Sequence, residues 1–381
     1  MDQLWGYSSL FSAFLCSVGF IALLVKPART LGWIDRPGDR KHHRDPVPMT
    51  GGVAMWAAFC VSMLLLAEEW PHAFPVLLVC MTQLTLVGLY DDRFPLRPSV
   101  RFLFQISAIL LMVLAGEIAL TSLGNLFGWG NVLLGDFTIP LTIFAVVGVI
   151  NAFNMIDGLD GLAGGLALLA TLCMIVLSLL APTTGNAVIG VLSVLALVIA
   201  GFLCFNLRHP WRARASVFMG DAGSTMLGFV LGWFLVHLSQ GREAVMAPVT
   251  AIWIVALPLM DTIAVMTRRI RAGHSPFAAD RQHLHHLLLG IGLTDGRVCA
   301  ILLATATFAA TSGVLAWRLG VPEHWQFYAF LAAFVLYYRL TTRLWTRQQA
   351  AVAGSMKPNR RNTATEPVRP ALSPLAARNH S

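Results

Sequence analysis

The fold class this sequence predicts is an all-α polytopic integral membrane protein with about eleven transmembrane helices. Three observations carry that expectation. Of 381 residues, 56% are hydrophobic and only 12% are charged, where a soluble domain usually carries about 25% charged residues. The apolar residues fall in long uncharged runs, the pattern a bilayer favours because a helix satisfies its own backbone there. The basic residues gather between those runs on one side. This composition excludes a disordered chain, a fibrous repeat and an ordinary cytosolic enzyme. A formal net charge of +8 would suit nucleic acid, but its placement in short loops and a tail suits anionic lipid or phosphorylated substrates better, and no nucleic-acid partner is expected.

In chain order the runs lie at about 7–26, 51–67, 74–90, 99–116, 138–154, 161–180, 186–205, 222–238, 244–266, 297–316 and 326–342. The first lacks a basic leading region and a small-residue cleavage site, so it reads as a span rather than a signal peptide. With residue 1 outside, only Arg242 and Arg318 of the 27 Lys and Arg fall in outside segments. The positive-inside rule then places the N-terminus outside and the C-terminus in the cytoplasm. The longest outside loop, 117–137, is rich in Gly and Asn and reads as a small hairpin. Residues 1–346 read as one transmembrane domain. Residues 347–381, rich in Pro, Ser, Thr, Asn and Arg, read as a basic disordered tail. The six cysteines show no CxxC spacing, so neither disulfides nor a zinc framework is expected.

The polar residues cluster at the inside ends of the runs. The third run closes on Asp91-Asp92-Arg93. Two carboxylates at a helix C-terminus oppose its dipole by about 0.3–1 kcal/mol each, so local stability does not account for them. They are either an incidentally acidic helix end or a pair that handles metal or phosphate. The fifth run continues into Asn151-Ala-Phe-Asn154-Met-Ile-Asp157-Gly-Leu-Asp160-Gly. Steps of three slip by about 60° on a helix, so the four oxygen-bearing side chains converge only if the glycines break the helix. Asn and Asp oxygens are hard ligands of the kind Mg²⁺ takes beside a phosphate; a plain Gly/Asp turn is the alternative. In Phe218-Met219-Gly220-Asp221, Asp221 either caps the eighth helix or presents a metal to a diphosphate.

Arg281-Gln282-His283-Leu284-His285-His286 lacks the i, i+4 histidine pair of a helical zinc site. A solvated helix, a zinc site and a diphosphate grip all remain open, and Arg268, Arg269 and Arg271 add positive charge nearby for the last. The loop Asp35 to Arg44, with Lys41, either follows the topology rule or holds a phosphate. No charged residue is read in the middle of a run, which weighs against an ion-coupled transporter. Clusters crowded on one face suit an enzyme joining a water-soluble phosphorylated donor to a lipid acceptor.

Taken in order from about residue 30 to 295, these motifs resemble the polyprenyl-phosphate N-acetylhexosamine-1-phosphate transferase superfamily, glycosyltransferase family 4. The Arg36–His43 loop and the Ser275–His286 stretch look like its bacterial undecaprenyl-phosphate alpha-N-acetylglucosaminyl 1-phosphate transferases. The resemblance implies transfer of GlcNAc-1-phosphate from a UDP-sugar to undecaprenyl phosphate, releasing UMP, as the first membrane step of O-antigen or related glycan synthesis. It implies Mg²⁺, with Mn²⁺ as a substitute, and an active site on the cytoplasmic face of the bacterial inner membrane. By motif, Asp91 and Asp92 would be the catalytic pair, and Asp221 the metal ligand aided by Asn154. Asn151, Asp157, Asp160, Phe218, Arg281, His283, His285, His286 and Lys41 would bind substrate, with Phe218 on the uracil. Membrane lipids would surround the protein, and a homodimer is one option for assembly. Pro95 stands where relatives often carry an acid. Another UDP-HexNAc donor, such as a deoxy sugar, and a lipid or solute transporter are the alternatives. Whether Asp91 and Asp92 act as base or charge organiser stays open, because a phosphomonoester with a second pKa near about 6 is already mostly dianionic at neutral pH.

Overall fold

A computed structural model describes residues 7–35, 46–66, 73–181, 185–209, 212–241, 244–276 and 282–355. Lys41, Arg281 and the rest of the basic loop at 36–45 lie outside the described residues, as does 356–381. The helices are α1 (Tyr7–Leu31), α2 (Gly51–Leu66), α3 (Phe74–Arg93), α4 (Pro98–Leu114), α5 (Thr138–Ile156), α6 (Leu162–Leu179), α7 (Asn186–Asn206), α8 (Gly220–His237), α9 (Pro248–Ile254), α10 (Ala256–Arg271), α11 (Leu284–Gly290), α12 (Asp295–Arg318) and α13 (Glu323–Ser355). Two short strands, β1 (Ile34–Asp35) and β2 (Val47–Pro48), pair antiparallel with Asp35 opposite Val47.

Every apolar run falls on a helix. Among the described residues, six helices are long and apolar enough to cross a membrane, or seven if α9 and α10 together make one bent span. The architecture is therefore that of a multi-pass membrane protein. At its centre stands α8, buried at every residue from Ala222 to Val236, as befits a helix apolar on all sides. It packs against α3 and α5, and this trio brings Asp91-Asp92, Asn154 and Asp221 to one end of the bundle.

The ninth run departs from expectation. It breaks at Val255, and α9 and α10 meet at 81°. Pro258 explains the break, since it has no N–H to offer the carbonyl of Ile254 and its ring crowds that turn. The same run carries a buried charge near its end: Asp261 sits on α10 and is only 1% exposed. At the opposite end of α5 from the aspartates, the 117–137 loop forms the expected hairpin, with Leu123 N–H to Val132 O and Leu134 N–H to Thr121 O, both 2.9 Å. The Gln240 and Glu323 side chains accept from its backbone at Thr121, Ser122 and Asn125. The last helix overruns its expected end. It continues through Ser355, into the segment read as tail from residue 347.

Candidate active site

The ends of α3, α5, α7, α8 and α12 surround a cavity of about 530 Å³. Seven aspartates reach its wall: Asp35, Asp91, Asp92, Asp157, Asp160, Asp221 and Asp295. Arg208 and His286 are its basic side chains, and Asn154, Asn206 and Phe218 complete the part that matters chemically.

The placement of Asp92, unfavourable on its own helix, is favourable on another. Its Oδ1 accepts the Asp221 N–H at 2.7 Å and its Oδ2 the Ala222 N–H at 3.4 Å. An acid at the C-terminus of α3 thus caps the positive N-terminus of α8. Gly220, with φ of 67°, makes the approach possible; a side chain there would run into the Asp92 carboxylate. Asp221 in turn accepts from Asn154 Nδ2 at 2.7 Å, and that amide also donates to Ser224 Oγ at 3.0 Å. Asn154 therefore keeps its amide oxygen as an acceptor. Arg101 Nη1 lies 3.1 Å from Asp91 Oδ2 and 3.5 Å from Asp221 Oδ2. The other Asp91 oxygen accepts the Leu96 N–H at 2.6 Å, closing the turn that contains Pro95.

Across the cavity, the glycine-broken segment between α5 and α6 does bring Asp157 and Asp160 to the site. Burial, then the neighbouring carboxylates of Asp221, Asp92 and Asp160, push Asp157 up to about 8. Asp160 is compensated: its Oδ2 accepts from Arg208 Nε at 2.8 Å and from the Ala215 N–H at 3.0 Å. Arg208 reaches Asp295 at the start of α12 with its Nη2, 2.6 Å away. Asn206 accepts the Gly161 N–H and donates to Val217 O, fastening this segment to the stretch that carries Phe218.

The histidines approach from α11. His286 lines the cavity. The His285 ring stands against Gly158, where an added Cβ would meet its Nε2 at 2.5 Å. His283 and His285 stack at 5.8 Å and 14° between ring planes, and His285 and His286 lie 4.1 Å apart, centroid to centroid.

Some expected residues stand elsewhere. Asn151 Nδ2 donates to Gln105 Oε1 at 2.9 Å and to Val147 O at 2.8 Å, so it ties α5 to α4 rather than facing the cavity. The arginines beside the histidine motif are structural: Arg268 donates to Thr341 Oγ1 and Gln282 O, and Arg269 to Pro276 O. Conversely, sequence reasoning missed Arg101, Asn206, Arg208 and Asp295 as site residues. In the sequence both arginines fit the topology rule, and Asp295 passes for an ordinary acid in a first helical turn. Asp35 reads in the sequence only as part of a basic loop.

Among the described residues, no three acidic, imidazole or thiol groups come together as a ready-built metal site, which also disfavours the zinc reading of the histidines. The donor chemistry nonetheless fits a cation of the Mg²⁺ type, which takes one or two carboxylates and fills its shell with water and phosphate oxygens. Burial and then repulsion raise Asp157, and such a cation relieves the repulsion.

Comparisons with known proteins point to one family. The model of the family described as Glycosyl transferase family 4 matches residues 74–239. An undecaprenyl-phosphate alpha-N-acetylglucosaminyl 1-phosphate transferase of Escherichia coli O157:H7 is 38% identical over 346 residues, covering 91% of this chain and 93% of the relative. Proteins of the same description from Yersinia pestis and Haemophilus influenzae are 39% and 37% identical, covering 91% and 88% of this chain and 94% of each relative.

Proposed function

The chain belongs to glycosyl transferase family 4, and from that premise we propose that it transfers N-acetylhexosamine-1-phosphate, with GlcNAc-1-phosphate the first choice, from a UDP-sugar to undecaprenyl phosphate. In this reaction an oxygen of the lipid phosphate bonds to the sugar-bearing phosphorus of the donor. The bond from that phosphorus to the bridging oxygen breaks, and UMP leaves. The observation that carries the reading is the single cavity walled by seven aspartates at one end of a membrane-spanning bundle. A wall so acidic suits a polyphosphate only in company with a cation. Mg²⁺, or Mn²⁺ in its place, would be held by Asp221 and Asn154 and would neutralise the charge of the donor diphosphate.

The chain's own residues divide the remaining work. Arg208, fixed between Asp160 and Asp295, offers the donor a cationic side chain on the cavity wall. His286 sits on the wall as a further donor, and Phe218 offers a ring face to uracil. The oxygens of Asp91 are engaged by Arg101 and the Leu96 N–H, and those of Asp92 by the start of α8. Those contacts favour both as organisers of charge and geometry. A dianionic acceptor needs no strong base. Facing the cytoplasm, where UDP-sugars are made, the site would produce the lipid-linked sugar that starts O-antigen or a related glycan.

The test is purified protein in lipid nanodiscs with undecaprenyl phosphate, Mg²⁺ and a panel of UDP-HexNAc donors including deoxy sugars. UMP and an undecaprenyl diphosphate-sugar should form with UDP-GlcNAc and stop in excess EDTA. Absence of UMP with every donor would overturn the assignment. Cysteines introduced singly at positions 96 and 282 in a Cys-free background should resist an impermeant thiol reagent in intact cells, and one at 128 should react; the reverse pattern would place the site on the wrong face.

A further inference from the structure

We propose that Asp261 is a positioning residue that holds His283 as its Nδ1–H tautomer and, through the stacked rings of His283 and His285 and the tilted contact of His285 with His286, aims His286 into the cavity. Asp261 does not line the cavity. It is buried on α10, behind the histidines, and three donors converge on it. His283 Nδ1 lies 2.7 Å from Oδ2, while the Leu284 N–H at 3.0 Å and the Tyr337 O–H at 2.7 Å both point to Oδ1. A carboxylate only accepts, so the proton of that contact sits on His283 Nδ1. The hydrogen bond at one ring nitrogen sets the state of the other, which leaves His283 Nε2 determined by a residue on another helix.

His283 is itself only 5% exposed, and its ring stacks nearly parallel on His285. His285 in turn contacts Gly158, next to Asp157, and His286. A change of tautomer or tilt at His283 is therefore felt at both the Asp157–Asp160 turn and the cavity wall. The contribution to turnover rests on the transferase reading; the tautomer does not.

Asp261→Asn tests the assignment. With two donors fixed on Oδ1, the amide oxygen stays there and the amide NH₂ faces His283, which must surrender its Nδ1 proton. In ¹⁵N-histidine NMR of the purified full-length protein, His283 should switch from the Nδ1–H to the Nε2–H pattern, and the His285 and His286 signals should move with it. The kcat for UMP release from UDP-GlcNAc should fall about ten- to a hundredfold, the range for one charge-assisted hydrogen bond, with KM for undecaprenyl phosphate unchanged. Tyr337→Phe removes a donor from Asp261 but spares its contact with His283, so the wild-type tautomer and kcat should persist. His283→Asn returns an N–H to Asp261 without a ring to stack, and it should be as slow as Asp261→Asn. An unchanged His283 tautomer in Asp261→Asn overturns the proposal. So does wild-type kcat in His283→Asn, which would reduce the pair to a loop tether and which decides the matter alone if Asp261→Asn does not fold. If the wild type releases no UMP with any donor, the transferase reading fails, and the tautomer in Asp261→Asn still decides the role of Asp261.

Discussion

Asp157, in the turn between α5 and α6, and Asp261, on α10, are both acids drawn away from bulk water, and the fold treats them in opposite ways. Asp261 receives three donors spread over both oxygens. Asp157 is acted on by burial and by three other carboxylates, with no compensating hydrogen bond among the described residues. Asp160 and Asp221 lie between these extremes: Asp160 is held through one oxygen by Arg208 and the Ala215 N–H, and Asp221 has Asn154 on Oδ1 and Arg101 3.5 Å from Oδ2, while both line the cavity. An acid satisfied from within holds the architecture. An acid left wanting awaits a proton or a cation, and the unsatisfied ones here share a single wall.

The strongest way to break that contrast is Asp221→Asn. If the half-satisfied acids carry the chemistry, UMP release should fall by about 10²–10³, the loss typical of one charge-stabilising contact; turnover near wild type would dissolve the distinction. Arg208→Gln sharpens it, because it takes the cation from Asp160 and leaves only the Ala215 N–H. The KM for UDP-sugar should rise about ten- to a hundredfold, while the KM for the lipid phosphate holds; a defect confined to the lipid substrate would move Arg208 to the acceptor side.

A smaller effect is expected in stability. With Asp157 pushed up to about 8, the folded protein keeps a proton between about pH 4 and about pH 8 that the unfolded chain has already released. Metal-free protein should therefore lose stability as pH rises through that window, by at most about 1.4 kcal/mol per pH unit for one proton. Thermal melts in EDTA should show the falling midpoint, Asp157→Asn should make the fall shallower, and saturating Mg²⁺ should flatten it; a midpoint that rises with pH would remove the repulsion. Least is expected from Asn151→Ala. Losing its bond to Gln105 should cost about 1 kcal/mol of stability and leave the KM for UDP-sugar unchanged, and a raised KM would return Asn151 to the cavity.

Much of this was legible from residue patterns. Apolar runs marked every long helix, because lipid makes hydrophobicity and backbone satisfaction coincide. The acids of the cavity stood out because Asp91-Asp92 had no local justification. What escaped had a sufficient local explanation. Pro258 lay inside an apolar run, so the break at Val255 and the burial of Asp261 on the far side of it were read through. Arg101 and Arg208 fitted the topology rule, and Asp295 fitted a first helical turn. Asn151 shows the converse: its spacing puts it in the motif, but α5 turns its amide toward Gln105 on α4. Only the packing of one helix on another decides which side of a polar residue meets the site.

The length of α13 has a consequence of its own. At 33 residues and about 1.5 Å per residue it extends roughly 50 Å, well beyond a hydrocarbon slab of about 30 Å. Tyr337, Thr341 and Gln348 form one stripe along it, spaced by one turn and then two, and they meet Asp261, Arg268 and the Leu287 carbonyl in succession. The helix is thus a graduated strut whose marks fix how far α11 stands from the bundle. Adding or deleting one residue between Thr341 and Gln348 would rotate the last mark by about 100° and release the histidine helix at its far end. A segment that contributes no side chain to the cavity is thereby constrained in whole helical turns, a form of specificity recorded in length and phase rather than in residue type.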